Sequence, residues 1–223
     1  MARHYSIIDV VDKWNLWLDP RHVHGCSASE DLACISREVS IVNSLQGHFL
    51  VASPHLGDSN FYRTVILMVQ HDEEGAFGVV LNRPSSETVA DVWRTVSDDP
   101  CPSQDVVRIG GPVPGPPMVV HTSVQFSQLE ILPGLFMASH RHMVSRVVSR
   151  QDAFLFFTGY AGWGARQLDD ELDAGGWLHA PADADVVFGD VDEMWKRVVE
   201  GIGREILQTS LPGLPMTDDA SWN

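Results

Sequence analysis

The stretch FLFFTGYAGWGARQLDDEL, Phe154 to Leu172, decides how the chain is read. An apolar run ends in a turn holding Gly159, Gly162 and Gly164, and an acidic amphipathic segment follows. Strand, glycine-rich turn and helix is also the order in which many proteins hold a phosphate, because backbone N–H groups at a helix N-terminus point at the anion. Three features argue against that use here. A dinucleotide fingerprint runs G-x-G-x-x-G, whereas this turn runs G-x-x-G-x-G. No G-x-x-x-x-G-K-[ST] occurs, and the only lysines are Lys13 and Lys196. Asp169, Asp170 and Glu171 fill the early helix, where they interact with its positive end and oppose an incoming phosphate. The glycines are therefore expected to reverse the chain after a buried strand, with Tyr160 and Trp163 anchoring the turn by packing. Beside Trp163, Gln167 and Glu171 stand four apart on one helical face, an amide and a carboxylate suited to a polar ligand or partner.

Outward from this stretch the hydrophobic period alternates between strand and helix. GHFLVA, TVILMVQ and AFGVVLN are short apolar runs whose β-branched content predicts strands, with HDEEGA as a hairpin connection. In SSETVADVWRTV the spacing of Val89, Val92, Trp93 and Val96 predicts a helix with Ser86 as N-cap. VVRIGGPVPGPPMVVHT and LEILPGLFMAS each read as two strands around a Gly/Pro turn, and a helix spans about 139–150. GWLHAPADADVVFG reads as further strand. A closing helix starts with Asp190 and Glu193 at capping-box spacing and buries Trp195, Val198, Val199, Ile202 and Ile206.

Residues 1–46 read as an added helical arm, with helical faces over 7–18 and 32–45. Such an arm covers apolar surface either on the body or on a second copy, so self-association through it is one expectation. Residues 47–207 form the body and 208–223 a proline-bearing tail. Hairpin strands with helices between them predict an α+β domain with a mixed, largely antiparallel sheet rather than a doubly wound nucleotide fold.

With 44% hydrophobic and 20% charged residues, 223 residues can bury a sizeable core. No run approaches the roughly 18 apolar residues that span a bilayer, so no membrane partner is expected. Asp9 and Asp12 interrupt the N-terminal apolar residues, and Cys26, Cys34 and Cys101 show no CxxC spacing. A cytoplasmic protein with reduced thiols is the expectation. A formal net charge of −15 opposes nucleic acid, whose affinity comes largely from Lys and Arg on phosphates. Arg141, Arg146 and Arg150 are the one local basic run, and they suit a solvated helix face.

Each candidate constellation has a plainer alternative. His22, His24, Cys26 and Cys34 are spaced more loosely than structural zinc sites, so an ordinary loop is favoured. His71 to Glu74 reads as a solvated hairpin tip, and His140 and His142 stand about 200° apart on a helix, where they do not chelate one ion. No G-x-S-x-G and no cysteine in a catalytic setting occurs. No catalytic residue, metal or cofactor is assigned. Arg63 heads one apolar strand while Asn82 and Arg83 close the next, so hairpin pairing brings these ends together. A guanidinium there holds a carboxylate from a ligand or from the chain itself, the internal ion pair being favoured.

Taken in order, GHFLVASPHLGDSNFYRTVILMVQHDEEGAFGVVLNRP, IGGPV, FTGYAGWGARQLDDEL and GGWLHAPAD resemble the YqgE/AlgH family of bacterial proteins. The resemblance covers about 47–206 and leaves out the arm and the tail. HRH also departs from it, because family members carry an acidic residue after the helix-start arginine. The resemblance implies one α+β domain whose sheet folds into a partly closed, barrel-like shape. It implies no reaction, cofactor or catalytic residue, and the family name carries a label of transcriptional regulation. Most matching positions are glycines and aromatics that a fold needs, among them Gly75, Gly78, Gly110, Gly111, Gly159, Tyr160, Trp163 and Trp177. Arg63, His71, Asn82, Gln167 and Glu171 have side chains suited to polar contact, and with Trp163 they form the candidate ligand- or partner-binding set. Two functions follow: a non-catalytic regulatory module that binds another protein, or a small-molecule-binding protein or enzyme with a polar pocket at Arg63, Asn82, Gln167 and Glu171. In either case the isolated chain is expected to show no DNA affinity at physiological ionic strength. Fluorescence anisotropy with a labelled duplex checks this, and saturable binding there would contradict it.

Overall fold

β-Branched and aromatic residues place the strands close to where the sequence predicts them. The computed structural model describes residues 44–53, 56, 58–99, 101–150 and 152–210. The two arm helices, the His22–Cys34 loop and the tail beyond residue 210 lie outside the described residues. Five strands, β1 (His48–Ala52), β2 (Val65–Asp72), β3 (Gly75–Val80), β10 (Ala161–Gly164) and β11 (Trp177–Pro181), form an antiparallel sheet in the order β10-β3-β2-β1-β11. Six others, β4 (Pro84–Thr88), β5 (Val106–Ile109), β6 (Met118–His121), β7 (Leu129–Leu132), β8 (Leu135–Ala138) and β9 (Phe154–Thr158), form a second sheet, order β4-β5-β9-β6-β8-β7. β5 and β9 run parallel and the other neighbours antiparallel. The helices are α1 (Val89–Val96), α2 (Arg141–Val148), α3 (Gln167–Asp173), α4 (Ala184–Val187) and α5 (Val191–Ser210). The α+β class and the mixed, largely antiparallel pairing are as expected, arranged as two sheets that do not close into a barrel.

Period-two alternation gives each sheet an apolar face for a helix to cover. On the first sheet Leu50, Ile66, Met68, Ala76, Val80, Ala161 and Trp163 pack with Trp177 and with Leu168 of α3. On the second, Val107, Val119, Ala138 and Phe156 pack against Val89 and Trp93 of α1 and Val144, Val147 and Val148 of α2. Burying one such aliphatic side chain is worth about 1.5–3 kcal/mol. Among the described residues no helix is long and apolar enough to cross a membrane.

Several local expectations are corrected. Thr88, not Ser86, caps α1: Asp91 N–H donates to Thr88 Oγ1 at 3.2 Å and Thr88 N–H to Asp91 Oδ2 at 3.3 Å. Pairing with β5 draws Pro84–Thr88 into an edge strand, so the helix begins later. The Thr88 hydroxyl holds the Asp91 carboxyl below the usual carboxylate range. After β11, Asp183 caps the short helix α4 where strand was expected. The buried stripe of α5 is Met194, Val198 and Ile202, while Ile206 is 54% exposed. α5 packs on β11, β1 and β2.

The glycine-rich stretch does not simply reverse the chain. AGWG is β10, so the backbone leaves β9 in the second sheet and enters the first sheet's edge. The crossing is backbone against backbone. Gly110 N–H donates to Thr158 O at 2.8 Å, and Tyr160 and Val113 exchange N–H···O bonds of 2.9 and 3.0 Å. Val80 N–H also donates to Gly110 O at 2.7 Å, tying the two sheets together. Gly159 has φ +71, and a Cβ there would stand 2.8 Å from Gly111 O and 3.0 Å from Val113 O. Gly134 in the β7–β8 turn has φ +82 with nothing within 4 Å. Gly134→Ala therefore carries only the left-handed backbone cost, about 1–2 kcal/mol. Gly159→Ala adds an overpacking cost of about 1–3 kcal/mol. Thermal unfolding should show the larger loss for Gly159→Ala, and equal losses would contradict the close crossing.

Candidate functional site

α3 brings three of the candidate residues together over the face of the first sheet. Arg166 opens the helix with φ 60, and the i, i+4 spacing puts Gln167 and Glu171 on one side. Gly164 N–H donates to Gln167 Oε1 at 3.1 Å, and Gln167 Nε2 donates to Glu171 Oε1 at 2.9 Å. The other carboxylate oxygen takes two indoles: Trp163 Nε1 donates to Glu171 Oε2 at 3.0 Å and Trp177 Nε1 at 2.8 Å. Phe61 fills the space beside them, its ring 6.4 Å from Trp163 and 5.2 Å from Trp177, with the two indoles 5.8 Å apart. Three donors thus solvate the carboxylate in place of water. Both oxygens are engaged, Oε2 by two indoles and Oε1 by the Gln167 amide.

His71 is buried at the end of β2, not at a solvated tip as expected; the turn itself is Glu73–Glu74. Leu45 N–H donates to His71 Nδ1 at 3.2 Å, so the neutral ring carries its proton on Nε2, which lies 3.5 Å from Asp169 Oδ1. Ser44 Oγ donates to the His71 carbonyl at 2.8 Å. His71 thereby joins residues 44–45 to α3.

Arg63 and Asn82 form a separate group. Asn82 Oδ1 accepts from Val65 N–H at 2.9 Å, and Asn82 Nδ2 donates to Arg63 O at 2.8 Å. These bonds clamp Arg63 at φ 52, one of two positive-φ residues other than glycine among those described. Arg83 Nη2 donates to Tyr62 O at 2.9 Å. The favoured internal ion pair of Arg63 is not formed among the described residues. Its guanidinium lies 5.4 Å from the Tyr62 ring centroid and 5.1 Å from that of Trp195.

The six candidates therefore divide. Trp163, Gln167 and Glu171 meet directly, and His71 reaches them through Asp169 on α3. Asn82 follows the Val80 end of β3, whereas Gln167 bonds Gly164, which pairs with Gly75 at the other end. At about 3.3 Å per residue a six-residue strand separates them by roughly 16 Å, so no single pocket holds all four of Arg63, Asn82, Gln167 and Glu171. Trp177, Asp169, Tyr62 and Trp195 belong to these groups and were not among the candidates. Of the four only Trp195 stood at helical spacing, on the α5 face; Asp169 is two residues from both Gln167 and Glu171, a separation that does not share their side of the helix.

Among the described residues no group of three or more His, Cys, Asp or Glu side chains is placed to hold a metal. His140 is the N-cap of α2 rather than part of it, so its ring stacks on His142 at 5.8 Å and the 200° separation does not apply.

The AlgH-like family model matches residues 49–207. A UPF0301 protein of Myxococcus xanthus is 36% identical over 168 residues, 73% of this chain and 93% of that protein. One from Shewanella oneidensis is 36% identical over 76% of this chain and 97% of its own. The solution structure of the AlgH protein from Pseudomonas aeruginosa is similar with a TM-score of 0.63 and 33% identity, covering 80% of this chain and 98% of that one.

A glutamine at 171 has one acceptor oxygen where the carboxylate has two, so at least one of its three donors loses its partner. Glu171→Gln should lower stability by about 1–3 kcal/mol, and Glu171→Ala by more. Thermal or urea unfolding reads this, and a neutral Glu171→Ala would contradict the assigned bonding.

Proposed function

The chain belongs to the AlgH-like family, and from that premise we propose that it is a non-catalytic regulatory module that docks another protein through the Tyr62–Arg63–Trp195 surface. Arg63 is the observation that carries this reading. It is exposed, held in a conformation that L-residues adopt at a cost, and makes no hydrogen bond or ion pair through its guanidinium among the described residues. Strain that surrounding bonds maintain on an exposed residue is a pointer to function rather than to folding. Tyr, Trp and Arg are also the residue types that dominate binding hot spots, and Tyr62 is 66% exposed.

The remaining candidates support the non-catalytic half of the proposal. Glu171, Gln167, His71 and Asn82 spend their polar atoms on the protein's own donors and acceptors. An effect on transcription, as the AlgH name hints, would then pass through a protein partner in the cytoplasm rather than through DNA.

Arg63→Gly removes a backbone cost of about 1–2 kcal/mol and adds a glycine entropy cost of about 0.5–1 kcal/mol. The variant is expected to keep its melting temperature within about 4 °C of wild type, since 1 kcal/mol moves a domain this size by about 2–4 °C. Affinity capture with the full chain should recover a partner that Arg63→Gly and Arg63→Glu lose and that Arg166→Glu, at the other strained arginine, retains. Capture unaffected by Arg63→Glu, or no reproducible partner, would overturn the proposal.

A further inference from the structure

Arg63 is not the only cation at the proposed contact surface. Asn82 bonds Val65 N–H and Arg63 O, so the 81–83 segment lies against the start of β2. Arg83, the next residue, is exposed and donates from Nη2 to Tyr62 O at 2.9 Å. On the other flank β5 pairs with the same segment. Ile109 N–H donates to Arg83 O at 2.8 Å, and Arg108 stands opposite Pro84. Arg108 is half-buried and donates from Nη1 to Leu81 O at 2.8 Å. Three arginines therefore gather around residues 62–65 and 81–84, their guanidiniums held by aromatic rings or backbone carbonyls.

None of the three is ion-paired among the described residues. The whole chain has 30 Asp and Glu against 15 Lys and Arg. Such a chain repels anions over much of its surface, so a corner of unpaired arginines is where an acidic partner is steered. Burial lowers the Arg108 pKa from its ordinary value, the mark of a charge drawn away from water without a compensating anion. Its remaining N–H groups are not sealed in, because the closed-off unpartnered nitrogens among the described residues are those of Trp93, His121, Gln128 and Trp195. A single phosphate would need the guanidinium forks to converge on one point. Arg83 and Arg108 are anchored on different carbonyls, which suits carboxylates spaced along a chain, and exposed Tyr62 offers apolar surface beside them.

Resting on the docking reading above, we infer that the partner presents an acidic segment. Neighbouring Asp or Glu carboxylates pair with Arg63 and Arg83, Arg108 adds to the attracting field, and an apolar side chain packs on Tyr62. The probe is a fluorescein-labelled peptide with two Asp-Glu pairs flanking a phenylalanine, and its Asn-Gln counterpart is the neutral control. Fluorescence anisotropy with the full chain at low ionic strength should show saturable binding, at least fivefold weaker for the neutral peptide and for Arg83→Gln. Arg83 is exposed, and the melting temperature of the variant checks that its fold is kept; Arg63→Gln provides the same test at the second fork. Arg166→Gln, at an exposed arginine at the start of α3, should bind within twofold of wild type. No saturable binding up to millimolar chain overturns the inference. So does a loss below fivefold with the neutral peptide or with both fork variants, a larger loss than twofold with Arg166→Gln, or saturable binding of a labelled DNA duplex in the peptide's place. A captured partner that Arg63→Glu loses, beside an acidic peptide that does not bind, overturns the acidic chemistry and leaves the docking surface standing.

Discussion

One carboxylate holds the two edges of the first sheet. Trp163 belongs to β10 and Trp177 to β11, the outermost strands of five. Four inter-strand steps of about 4.8 Å would place those backbones roughly 19 Å apart in a flat sheet. Their indoles instead meet at 5.8 Å and share Glu171 Oε2. The partly closed character expected from the family resemblance resides here: the sheet face curls over Phe61 and α3 closes it. Without a buried acceptor between them, two indole N–H groups would face an apolar interior at the cost of two unmade hydrogen bonds.

That arrangement depends on β10 being in the first sheet at all. The chain reaches it from β9 through Gly159, where side chains are excluded because the Gly110–Gly111 backbone passes alongside. The glycines of IGGPV and FTGYAGWG are thus two halves of one crossing, so close backbone contact accounts for the glycine pattern. On the far side of β3, Asn82 holds the start of β2 and fixes Arg63, so the same sheet presents an exposed guanidinium. The protein's architecture and its proposed contact surface are therefore linked through β2 and β3.

Periodic features were legible in the sequence. The strands, the α1 and α2 faces and the Gln167–Glu171 pair follow from spacings of two, three and four, because neighbours within an element are set by its geometry. What was missed lies between elements. Trp177 is six residues from Glu171, across the turn at Gly175–Gly176, a separation with no regular meaning. Thr88 displaced Ser86 as cap because a partner strand claimed the preceding residues, and AGWG looked like turn because glycine marks both turns and close strand approach. Arg63 was placed at the correct hairpin end, but its stacking on Trp195 joins residues more than a hundred positions apart.

Hydrogen exchange of the indole N–H groups, followed by NMR in wild type and in Glu171→Ala, which removes the shared acceptor, tests the shared-carboxylate closure most directly. If Glu171 holds both sheet edges, the Trp163 and Trp177 indoles exchange slowly in wild type. Both then accelerate together in the variant, relative to the other tryptophans. Acceleration of one indole alone, or of neither, would contradict it.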